Sequence, residues 1–283
     1  MDSRGDESAR AERGGRGGRV RPAAVAGQFY PAHGGSLEHD VRGYLDAARA
    51  EADAEAVPGS PKAIIAPHAG YLYSGPVAGS AYARVAHRRD EIERVVLLGP
   101  SHRVPLEGLA VPAHDAFETP LGRIELDRQA IERARSLPQV RELDGPHAME
   151  HSLEVHLPFL QVVLGDFRLA PFAVGDASAA EVEEVLELLW GGAETLIVVS
   201  SDLSHYYDYE TARLLDASTT RAIVELAPER LGPESACGRV PARGLLRAAR
   251  RHGLRARAVD VRSSGDTAGP RDRVVGYGSY VFG

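Results

Sequence analysis

The feature that most constrains this chain is a pattern met three times: a short, wholly apolar run that ends in small or polar turn residues and a histidine. Residues 63–66 (AIIA) lead into Pro67 and His68, residues 95–98 (VVLL) into Gly99, Pro100, Ser101 and His102, and residues 196–199 (LIVV) into Ser200, Ser201, Asp202 and then His205. Apolar runs too short for a helix and closed by such residues read as buried strands. In an open α/β sheet the ligand site lies beyond the carboxyl ends of the strands, where loops converge while the buried strands hold them rigid. Three similar strand ends would therefore bring imidazoles and the Asp202 carboxylate into one crevice. Imidazole serves both as a metal ligand and as a proton carrier near neutrality, so the pattern alone leaves a metal site and an acid/base site open.

The rest of the sequence alternates short apolar runs with amphipathic stretches, the signature of strands interleaved with helices. Strands are expected over 63–66, 95–98, 108–111, 169–172, 195–199, 256–261 and 274–281, and helices over 36–52, 76–86, 127–136, 152–164, 179–190, 209–226 and 242–252. The small residues of SGPVAGSAYA suit close helix packing. The expected fold class is α/β, one domain with a central mixed sheet flanked by helices. A chain of 283 residues, 43% of them hydrophobic, can bury such a core as one unit. That domain is expected over residues 20–283. Residues 1–19 are charged, Gly-rich and nearly free of bulky apolar side chains, so they read as a disordered tail, with Arg-Gly repeats too short and too interrupted by acids for an RNA-binding tract.

A net charge of -7 argues against nucleic acid or an anionic membrane surface as the main partner. No apolar run approaches the roughly 18 residues of a membrane span, and the first residues lack the apolar stretch of a signal peptide, so a cytoplasmic location is expected. Cys237 is the single cysteine, which excludes an intrachain disulfide and a thiolate-rich metal site. Any metal must rest mainly on histidine and carboxylate, and eleven histidines are more than packing needs.

A further cluster lies in HAMEHSLEVHLPFL, where His147, His151 and Glu154 are spaced to share a helical face if one helix runs through all of them. It is no zinc-protease motif: HExxH is absent, and the inverted form HxxEH fails because Val155 stands between Glu154 and His156. These three, with Tyr71 close after His68, are expected to line the pocket. Cys237 sits beside Gly238 in a loop before a helix, a setting compatible with a buried small residue or with an activated thiolate. Phosphate-loop, dinucleotide and GxSxG nucleophile motifs are all absent.

The strings VAGQFYPA, APHAGYLYSGPVAGSAY, LGPSH, FETPLG, EHSLEVHLPFL, SSDLSHY, ACGRVP and GYGSYVF, in this order from about residue 20 onward, resemble the Memo family, whose bacterial members are called AmmeMemoRadiSam system protein B. The resemblance implies a fold related to class III extradiol dioxygenases of the LigB type. It implies a mononuclear metal held by His68, His102 and Cys237, with iron(II) first and copper or zinc as alternatives. It also places Asp202 and His205 in the same pocket, His205 where the dioxygenases keep an acid/base histidine. The dioxygenases hold iron with two histidines and a carboxylate, whereas here a softer, oxidisable thiolate takes the third place. Two functions follow as expectations: a metal-dependent oxidoreductase, or a binding module that keeps the pocket for a small-molecule, anionic or peptide ligand. The bacterial name implies pathway partners, a radical SAM protein and an AMMECR1-type domain protein.

Overall fold

The computed structural model describes residues 18–52 and 60–283, so most of the expected tail lies outside the described residues. Arg19, its last residue, is fixed, its backbone N–H donating to Asp115 at 2.8 Å. The strands are β1 (Val20–Arg21), β2 (Ala63–Ala66), β3 (Arg94–Pro100), β4 (Leu109–Val111), β5 (Ala116–Thr119), β6 (Gly122–Glu125), β7 (Val140–Glu142), β8 (Arg168–Val174), β9 (Thr195–Ser200), β10 (Asp202–Tyr207), β11 (Ala256–Ser263) and β12 (Val274–Phe282). The helices are α1 (Gly34–Ala52), α2 (Tyr71–Ala83), α3 (Arg128–Ala134), α4 (Gly145–Ala148), α5 (His151–Glu154), α6 (Leu157–Leu164), α7 (Ala179–Leu189), α8 (Tyr209–Val224), α9 (Arg239–Arg251) and α10 (Ser264–Thr267).

One mixed sheet dominates, in the order β10-β12-β2-β9-β3-β8-β4-β7, with β11 on the other edge of β12. Its heart is the parallel set β2, β9, β3 and β8. The side chains of β2 and β9 are buried throughout, which is why both read as unbroken apolar runs rather than as alternating ones. Helices α1, α2 and α6 pack together, as do α3, α7 and α9, and these two groups flank the sheet. A small second sheet, β1-β5-β6, completes the single α/β domain.

Local chemistry explains the element ends. Asp127, Ser178 and Asp208 each accept a backbone N–H at the start of α3, α7 and α8. Gly75 and Gly79 let α2 lie against α1, because a Cβ on either would come within 2.8 Å of Tyr44. The helix expected over 152–164 is instead broken into α5 and α6 around Val155 and His156, with Pro158 in the first turn of α6. The polar run from Asp202, expected as a loop, is a strand: β12 pairs with β2 through Tyr280–Phe282 and, further back along the same edge, with β10 through Val274–Tyr277.

The segment before α1 is tied to α5 by a buried polar network. Glu154, fully buried, accepts from Arg21, from the backbone N–H of Ala24 and Val25 at 2.8 and 2.9 Å, and from the Tyr30 hydroxyl at 2.6 Å. The Arg21 guanidinium also donates to the carbonyls of His147 and Glu150, both at 2.8 Å. Among the described residues no helix is long and apolar enough to cross a membrane.

Removing one side of a buried, hydrogen-bonded ion pair strands the other charge, at a cost of about 3–5 kcal/mol. Glu154→Ala should lose stability on that scale in urea unfolding, and a loss below about 1 kcal/mol would show that the network is not structural.

Candidate metal centre

Strands β2, β9 and β3 are neighbours, run parallel and end level: Ala66 lies opposite Ser200, and Val199 opposite Leu98. The residues just past these ends therefore meet. His68 follows β2, Ser200 closes β9 with Asp202 two residues on, and His102 follows β3. Helix α5 adds His151 from above β3, because Gly99 carries no side chain: a Cβ there would lie 2.9 Å from both Leu153 and Ser152.

The result is a group of three histidines, His68, His102 and His151, whose ligand nitrogens all lie within 4.8 Å of one another and could hold a metal ion. The rings of His68 and His102 are 5.1 Å apart, those of His68 and His151 5.5 Å, and those of His102 and His151 stack at 4.8 Å. His68 is buried at the floor of the cluster and His102 is open to solvent at its mouth.

The tautomer of His68 follows from its partners. Ser200 donates its one hydroxyl proton to the Ser152 carbonyl at 2.6 Å, so it must accept from Nδ1–H of His68, also at 2.6 Å. Nε2 of His68 is thus left with a free lone pair. Burial first, then the neighbouring His102 and His151 rings, push the pKa of His68 well below the ordinary value, so the ring stays neutral. That is the state in which imidazole ligates a metal.

Cys237, on the loop before α9, meets His68 and Asp202 but lies outside the three-histidine group. Its Sγ lies 3.3 Å from Nε2 of His68 and accepts the Asp202 backbone N–H at 3.3 Å. Burial, reinforced by the Asp202 carboxylate, pushes the thiol up, so without a cation it remains protonated, with Nε2 of His68 or the Asp202 carbonyl as acceptor. The approach needs Gly238, where a Cβ would fall 2.4 Å from the Ser200 carbonyl oxygen.

Asp202 accepts the His68 backbone N–H at 2.7 Å and holds its other oxygen 3.9 Å from Nε2 of His68. Burial raises its pKa, opposed by that hydrogen bond and by the surrounding histidines. His205, half-buried on β10, lies within electrostatic reach of both His68 and Asp202.

The three other expected pocket residues are engaged elsewhere. The break between α4 and α5 separates His147 from His151, while Glu154 shares α5 with His151 but turns to the Arg21 side. His147 is buried, with Nε2–H donating to the Ala110 carbonyl at 3.0 Å. Glu154 serves the network described above, and Tyr71 donates to the Val155 carbonyl at 2.6 Å, bracing the end of α5. Conversely, residue spacing did not single out Ser200 or Glu150. Glu150, almost fully buried, caps α5 and contacts both His102 and His151. Burial alone would raise its pKa, but the bonds from the His102 ring and from backbone N–H groups hold it down to about 2. Its one sequence signal was its place directly before His151, as an N-capping acid.

Gly238→Ala should push the Cys237 loop outward, cost about 1–3 kcal/mol and make the thiol react faster with a disulfide reagent. Unchanged reactivity would mean that the loop has room the geometry denies it. Burial also lowers the pKa of His147 to about 4. A folded pKa below the unfolded one gives stability that is full above about 6.5 and lost as pH falls toward 4, here by about 3 kcal/mol for this residue alone. His147→Gln should flatten the melting temperature against pH across that window.

Comparison with known proteins agrees with this architecture. The Memo-like protein family model matches residues 21–281. A MEMO1 family protein of Aquifex aeolicus is 36% identical over 93% of this chain and 99% of its own length, and one of Ignicoccus hospitalis is 35% identical over 93% and 98%. A crystal structure of an uncharacterized Escherichia coli K12 protein, 13% identical, shares the fold with a TM-score of 0.51 over 80% of this chain and 100% of its own. With its strand ends, histidine cluster and family match in agreement over nearly all the described residues, the chain belongs to the Memo family.

Proposed function

We propose that the protein holds one transition-metal ion on His68, His102 and Cys237, with His151 completing the donor set, and uses it in oxidation-reduction chemistry on a small molecule. The observation that carries this reading is the 3.3 Å between Cys237 Sγ and Nε2 of His68, beside a group of three imidazoles. Donors at about 2.1 and 2.3 Å from one ion stand roughly 3.4 Å apart at an angle of about 100°, so this spacing suits two ligands of a single ion. The donor chemistry fits as well, since His68 offers a neutral lone pair and a cation would displace the thiol proton. A mixed imidazole and thiolate set suits iron(II) or copper, and zinc is the ion it would take outside redox chemistry.

When bound, the ion supplies a Lewis acid and an electron donor, and the likeness of the Memo family to class III extradiol dioxygenases points to oxygen as the oxidant. The chain supplies the rest. Ser200 fixes the His68 tautomer. Asp202, buried and with a raised pKa that favours holding a proton, and His205, which stands within its electrostatic reach, would move protons beside His68.

Protein made without added metal should carry close to one iron or copper per chain by elemental analysis, and His68→Ala and Cys237→Ser should lose it. Unchanged metal content in both variants would remove the site assignment. Oxygen uptake by the iron-loaded protein with catechol-type compounds distinguishes turnover from simple saturable binding, the result expected of a binding module.

A further inference from the structure

Glu150 makes contacts that neither its capping role nor the ligand set accounts for. Its Oε2 accepts the His102 backbone N–H at 2.6 Å, while Oε1 accepts from Nδ1 of His102 at 3.0 Å and from the backbone N–H groups of His151 and Ser152 at 3.0 and 2.9 Å. The same Oε1 lies 3.2 Å from Nδ1 of His151. One carboxylate oxygen thus faces the Nδ1 atoms of two histidines whose rings stack at an interplanar angle of 23°.

We infer that Glu150 is the positioning residue of the metal centre, setting the ring orientation and tautomer of His102 and holding the start of α5, which carries His151, against it. This rests on the proposed reading of the cluster as a metal site. An ionised carboxylate only accepts, so Nδ1 of His102 must carry the proton and donate it, which leaves Nε2 as the free lone pair. Nδ1 of His151 lies 3.2 Å from the same oxygen without making a hydrogen bond to it, so Glu150 holds His151 through its backbone N–H alone. His68 reaches the equivalent state through Ser200. A neutral hydroxyl therefore fixes the inner imidazole and a charged group fixes that of His102. Outer carboxylates of this kind orient ligating imidazoles and raise their basicity. Because the backbone N–H of His102 and those of His151 and Ser152 end on the same side chain, the loop after β3 and the start of α5 are also locked to each other.

The test uses full-length protein, Glu150→Gln and Glu150→Asp, with cobalt(II) as the probe. Nitrogen NMR of the metal-free wild type should show His102 and His68 as Nδ1–H tautomers. In Glu150→Gln, His102 should shift toward Nε2–H while His68, held by Ser200, stays as it was, an internal sign that the fold persists. Cobalt(II) affinity should fall roughly 10–100-fold, with a changed visible spectrum. Glu150→Asp, which keeps the charge, should recover part of both. His102 found as Nε2–H in the wild type, or a Glu150→Gln variant matching wild type in affinity and spectrum, would overturn the inference. Wild-type protein that takes up no cobalt, iron or copper would instead overturn the metal reading, and the tautomer of His102 would still decide whether Glu150 positions it.

Discussion

The level, in-register pairing of β2, β9 and β3 is the constraint on which the site depends. Parallel strands side by side put their carboxyl ends on one edge, and here the pairing of Ala66 with Ser200 and of Leu98 with Val199 leaves almost no stagger between them. Residues more than a hundred positions apart are thereby held in contact by backbone hydrogen bonds between buried strands, so the donor atoms need little reorganisation to meet one ion. Glycine completes the approach at two points. Gly99 lets α5 settle over β3, and Gly238 lets the Cys237 loop touch the end of β9.

A second support is the buried pairing of Arg21 with Glu154. Charges are costly to bury unless every polar atom finds a partner, and here both do. Arg21 spans the carbonyls of His147 and Glu150 besides the Glu154 carboxylate, and Glu154 gathers two backbone N–H groups and the Tyr30 hydroxyl. This network matters because α5 is only four residues long and would not hold its shape alone. The segment from Arg21 to Tyr30, distant in sequence from the histidines, thereby fixes the helix that carries one of them.

Much of the sheet was legible in sequence because strands buried on both faces must be apolar without interruption. β2, β3, β8 and β9 were located in this way, β2 with its observed bounds and the other three shorter by one to three residues than the strand observed. β10 was not, since Asp202, Ser204 and Tyr207 give no apolar alternation and the segment is a strand only because β12 offers it an edge. His68 and His102, which the fold brings together, were legible from their places at strand ends. His151 was noticed for helical spacing, yet that spacing bound it to His147, which sits on a separate helix, and to Glu154, which the buried Arg21 network claims. Glu150 and Ser200 act through hydrogen bonds to other side chains, and such contacts leave no periodic trace in one sequence.

The placement of β12 has a consequence for how the protein assembles. It lies beside β2 and β10 although more than two hundred residues separate its pairing partners Ile65 and Tyr280. Contacts of such long range close large loops and form slowly. β12 can join β2 only when nearly the whole chain is present, and the same strand gives β10 its edge. A truncation or destabilising change within β12 would thus reach Asp202 and His205 through the loss of their strand's partner, without touching either residue.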